Sequence, residues 1–143
     1  MPFLDVGVRA AGFDVVALPG QYWITGPGKP SLPLATYSIL IPPDAEVVGV
    51  AVTSRSTTVL PGEFLMHPAQ RAQALSQPRL AFVEPDAATY GADKPYPAEP
   101  VNFTRSGSMS GFRIAGVQVA PLSYNPARKQ LELSTRIEVT VTF

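Results

Sequence analysis

The sequence predicts an all-β fold: an antiparallel β-sandwich or jelly-roll-like body with one long proline-rich loop that has room for a short helix. Three observations lead there. The 143 residues include 16 prolines and 11 glycines, and proline breaks both helix interiors and central strands. Hydrophobic residues make up 45% of the chain, enough for a packed core rather than a disordered tail. Apolar residues recur at period two in several short runs separated by turn residues, which is the pattern of sandwiches and barrels. The length suits one domain of the usual ~100–200 residues. With no internal repeat in view, a single domain over 1–143 is expected, with its long loop at about 61–100.

The strands follow in order. Leu4 to Arg9 alternates, and Phe13 to Leu18 pairs back onto it across Ala10-Ala11-Gly12. Tyr22-Trp23-Ile24 either adds a short strand or begins the Thr25–Pro33 loop. Tyr37 to Ile41 and Glu46 to Arg55 are the next strands, joined by Pro42-Pro43-Asp44-Ala45, and Thr57 to Leu60 extends the second. Phe112 to Leu122 follows, and Ser123-Tyr124-Asn125-Pro126 turns the chain. From Leu131 to Phe143 the odd positions are mostly apolar and the even positions polar, a half-buried strand with a bulge expected near Thr135. Between Pro61 and Pro100 periodicity disappears, and connections of that length usually mark function or disorder. Pro68 to Leu75 suits a short helix stopped by Pro78, and Arg79 to Val83 an edge strand.

Charge excludes several functions. Eleven basic residues balance eleven acidic ones, so the basic footprint of a nucleic-acid binder is missing, as is a polybasic patch for anionic membranes. No apolar run approaches the roughly 20 residues of a membrane helix. The opening residues lack the charged and apolar regions of a signal peptide. There is no cysteine, which removes disulfides, thiolate chemistry and Cys-ligated metals. No metal site and no cofactor are expected.

Catalytic residues are not expected either. His67 is the sole histidine, and no serine sits in a Gly-x-Ser-x-Gly elbow to partner it, Ser106-Gly107-Ser108 and Ser110-Gly111 reading as flexible loop; a surface histidine is the simpler reading. Gly26-Pro27-Gly28-Lys29-Pro30-Ser31 looks superficially like a phosphate loop, but its prolines remove the N–H donors such a loop needs. It reads as a rigid extended connector. Asn102-Phe103-Thr104 matches a glycosylation triplet that is common by chance. Tyr22, Trp23, Tyr90 and Tyr96 suit a sugar-stacking platform or, more simply, core and loop anchors.

One ordered set of spacings says more than any chemical motif. The chain reads Gly28-x-Pro30-x-Leu32-Pro33, Ile41-Pro42, Tyr90, Tyr96-Pro97, Val101 and Arg113. Then come Val117-x-Val119-x-Pro121, Tyr124-Asn125-Pro126 and Leu131. From about Gly28 to Phe143 this resembles the N-terminal propeptide of gingipain-like cysteine peptidases, the C25 family. The resemblance implies an inert β-sandwich prodomain whose partner is the downstream catalytic domain, which it keeps latent and helps to fold. It further implies a secreted or cell-surface bacterial precursor, and a basic loop residue seated in the specificity pocket. Arg71 lies nearest the corresponding place, and Arg79 and Lys94 are the alternatives in the same loop. The competing expectation is a non-catalytic β-sandwich binding module for carbohydrate or a surface protein, built on the aromatics above.

Overall fold

The computed structural model describes residues 5–10, 12–19, 21, 26–71, 74–78 and 80–143. Every named strand pair is antiparallel, and among the described residues a single parallel bridge joins Asp14 to Met66. Strand β1 (Asp5–Ala10) and strand β2 (Phe13–Ala17) form the expected hairpin, with a register shift between Val6 and Val8. Strand β3 (Ala35–Ile41) then enters a three-stranded sheet and strand β4 (Gly49–Val59) a different one, so the Pro42-Pro43-Asp44-Ala45 link carries the chain between layers. The first sheet has the order β3-β6-β5, with β5 spanning Val101–Met109 and β6 spanning Phe112–Val119. The second has the order β4-β8-β7, with β7 at Leu122–Asn125 and β8 at Gln130–Thr142. Strand β4 touches β5 where the two sheets meet, consistent with a sandwich-like arrangement.

Strand β8 matches the sequence reading closely. Ile137, Val139 and Val141 are half-buried while Arg136, Glu138 and Thr140 are exposed. Its pairing with β4 runs Ser56 to Arg136 and then Thr57 to Ser134, leaving Thr135 as the extra residue of the expected bulge.

Four local expectations are corrected. Ser123 and Tyr124 belong to β7 rather than to a turn; Tyr124 faces Leu131 across the hairpin, and Pro126 to Lys129 makes the reversal. Ser106-Gly107-Ser108, read as flexible loop, lies within β5, and Ser110-Gly111 forms the two-residue turn into β6 with φ of 52° and 81°. Such paired positive φ angles match the twist of a tight hairpin. No helix forms over Pro68–Arg71, because Ala69 gives its N–H to Lys29 O and Pro68 bridges Pro30; Ala72 and Gln73 fall outside the described residues. The one helix among the described residues is α1 (Ala87–Tyr90), capped by Asp86, and no strand forms over Leu80–Val83.

The core gathers Val16, Leu18, Leu32, Met66, Leu122, Tyr124 and Leu131, with Leu60, Phe64, Tyr90, Tyr96 and Leu133 packed against them. Burying each such side chain contributes about 1.5–3 kcal/mol. Met66, Tyr90 and Tyr96 come from the stretch that carries no periodicity. Segment 61–100 is therefore not one extended arm: its root and its return leg are built into the body.

Candidate functional site

The same stretch leaves the body at one place. Gly28 stands at that point with φ of +82°, in the left-handed region, and a Cβ there would come within 3.3 Å of Glu84 O. Glycine resolves both constraints. Its N–H donates to Ala69 O at 2.9 Å, and its carbonyl accepts from the N–H of Asp86 at 2.9 Å. Next door, Ala69 N–H donates to Lys29 O at 2.7 Å and Ser31 N–H to His67 O at 2.9 Å. The Gly-Pro-Gly-Lys-Pro-Ser connector is thus an extended segment, as its prolines imply, laid between the outgoing and returning legs.

Side chains reinforce this neck. Lys29 Nζ lies 2.8 Å from Asp86 Oδ2 and 2.7 Å from Thr89 Oγ1. Asp86 also accepts the N–H of Thr89 at 3.0 Å, the N-cap bond of α1. Hydrogen bonds from Lys29 and then Thr89 hold the Asp86 carboxyl down at about 2. One step further out, the Gln70 amide brackets Val83: its Oε1 accepts from Val83 N–H at 2.8 Å and its Nε2 donates to Val83 O at 3.0 Å.

Beyond Gln70 and Val83 the described residues up to Phe82 stand open to solvent. Arg71, Ala74, Leu75, Ser76, Gln77, Pro78, Leu80, Ala81 and Phe82 are all exposed. A turn closed by Gln77 N–H to Ala74 O at 3.0 Å puts Leu75 and Ser76 at its corner. The returning leg rests on the body through Phe82, which stacks on Phe13 at 6.1 Å and meets His67 edge-on at 6.0 Å. His67 is partly buried between these rings rather than lying free on the surface, and that burial lowers its pKa.

The sequence candidates separate on this geometry. Arg71 stands on the exposed loop just past the Gln70 clamp, without a side-chain hydrogen bond or ion pair to any described residue. Arg79 falls outside the described residues. Lys94 is exposed but lies beyond the neck, next to Asp93, which binds Asn125 Nδ2 at 3.0 Å and Arg128 Nε at 3.1 Å. Of the aromatics, Tyr90 donates its hydroxyl to Met66 O at 2.6 Å, and Tyr96 pairs through its backbone with Tyr124. Both are anchors of the body; Tyr22 and Trp23 fall outside the described residues. Gln70 and Phe82 had no signal in the sequence, because an amide and an aromatic in an unpatterned stretch announce no partner.

A clamped, exposed loop on an antiparallel body is what the comparisons with known proteins address. The model of the Propeptide_C25 family matches residues 1–143. The chain belongs to the C25 peptidase propeptide family. Two solved structures from Porphyromonas gingivalis are similar to it. One is a chain of the complex of the RgpB pro- and mature domains, 24% identical, with a TM-score of 0.84 over 99% of this propeptide and 75% of that chain. The other comes from a structure on the zymogenic latency of gingipain K, 28% identical, with a TM-score of 0.79 over 98% of this propeptide and 80% of that chain. No curated protein matches the sequence.

Proposed function

We propose that this propeptide keeps the catalytic domain of its own C25 cysteine peptidase precursor latent and assists its folding, with loop 70–83 entering the active-site cleft. The observation that carries the reading is the neck: in a member of a propeptide family, Gly28 and Gln70 tie both legs of a loop whose described residues are exposed. A loop whose legs are already tied before it meets its partner loses less conformational entropy on binding, and a tethered partner is met at high effective concentration without electrostatic steering.

Arg71 is our first choice for the residue that fills the cleft. A guanidinium makes a bidentate, charge-assisted pair with a carboxylate at the base of a pocket. Arg79 is the second choice, and Lys94 ranks last because of its place beyond the neck. The domain itself, read as one unit over 1–143, is non-catalytic: it has no cysteine, and its one histidine is wedged between Phe13 and Phe82. The precursor is read as a secreted or cell-surface bacterial protein, as the family resemblance implies.

The test is inhibition of the precursor's catalytic domain by the 143-residue chain. Tight inhibition by the wild type, weakened on Arg71→Ala by the roughly 2–4 kcal/mol of a buried anchor, is the expected result. Undiminished inhibition by Arg71→Ala removes that residue from the role.

A further inference from the structure

The apex of the loop carries an observation that arginine does not explain. Leu75 has a relative exposure of 107%, and the next large hydrophobic among the described residues, Val48, reaches 79%. Leu75 sits at the corner of the Ala74–Gln77 turn, where Gly, Pro, Asn, Asp and Ser are the residues that turn chemistry selects. Neither folding nor the turn accounts for a leucine there. Two more apolar side chains, Leu80 and Phe82, are exposed on the returning leg at 47% and 42%. Between Gln70 and Val83 the only charges are Arg71 and Arg79, both positive.

We infer that Leu75 is an apolar anchor of this propeptide, seated in a hydrophobic subsite of its own precursor's catalytic domain whose rim carries acidic groups facing the two arginines. The inference rests on the proposed inhibitory role and adds the chemistry of the surface that receives the loop. Opposite charge at the rim fixes the approach and register of the loop. The apex leucine supplies an aliphatic anchor that leaves water only in the complex. The peptidase accordingly accepts a leucine-sized aliphatic side chain in a subsite close to the one that takes arginine.

The experiment measures inhibition of that catalytic domain by the wild-type 143-residue chain and by Leu75→Ala, Leu75→Asp, Leu75→Met and Arg71→Ala, with a thermal melt of each. Because Leu75 makes no packing contribution to the body, the melts are expected to coincide. Leu75→Ala is expected to raise the inhibition constant roughly 10–100-fold and Leu75→Asp further, with Leu75→Met within about threefold of wild type. If the wild type inhibits and Leu75→Ala and Leu75→Asp inhibit equally well, the apolar subsite is overturned while the inhibitory role stands. If the wild type does not inhibit, the inhibitory role falls and this inference falls with it.

Discussion

Gln70 satisfies both backbone groups of Val83 with one side chain, its Oε1 taking the N–H at 2.8 Å and its Nε2 giving to the carbonyl at 3.0 Å. A planar amide matches a backbone peptide in donor and acceptor, so the clamp stands in for one rung of a β-ladder. Each bond contributes about 0.5–1.5 kcal/mol net. Gln70→Ala is therefore expected to open the loop without unfolding the body. Amide exchange at Val83 and tryptic cleavage after Arg71 should accelerate by about tenfold, with the melting midpoint little changed.

The Lys29–Asp86 pair sets a dependence on acid. The Asp86 carboxyl is held at about 2 against its ordinary 3.8. The folded chain thus binds that proton less readily than the unfolded chain. The stabilisation is complete above 3.8 and drains as pH falls toward 2. Carboxyl titration by NMR should place Asp86 near the lower value, and Lys29→Met should move it upward.

His67 works in a window nearer neutrality. Burial against Phe13 and Phe82 disfavours its charged form, so its pKa lies below the ordinary 6.5. The unfolded chain takes up the proton first as pH falls, so this contribution is complete above 6.5 and declines below it. Thermal midpoints measured at about pH 8 and about pH 5 should differ less in His67→Phe than in the wild type.

Met66 and Tyr124 test whether the root of the loop is structural. Both are fully buried, and the Tyr124 hydroxyl donates to Phe64 O at 2.8 Å. Met66→Ala should cost about 2–5 kcal/mol in denaturant unfolding. Tyr124→Phe should cost about 1–3 kcal/mol, since it strands a carbonyl near the core.

Periodicity made part of this fold legible. Strand β8 and its bulge at Thr135 could be read from alternating residues, as could the β1–β2 hairpin, because one buried face imposes a period of two. Strand β5 was hidden, because its run of Thr104, Arg105, Ser106, Gly107 and Ser108 is exposed and leaves no apolar stripe. The alanines after Pro68 favour a helix locally, but the backbone there is claimed by Pro30 and Lys29 from a segment distant in sequence. The Asp86 cap of Ala87–Tyr90 was not read, since four residues are too few to show a helical period. The Gly28 and Gln70 clamps were not readable, since each depends on which legs the fold brings together.

The most direct test replaces residues 71–82 with a short Gly-Ser linker and measures inhibition of the precursor's own catalytic domain beside the wild-type chain. Latency through loop insertion predicts a variant that folds with its body intact, retains Met66 in the core, and inhibits at least about 100-fold more weakly than the wild type. A loop-replaced chain that inhibits as tightly as the wild type would contradict it.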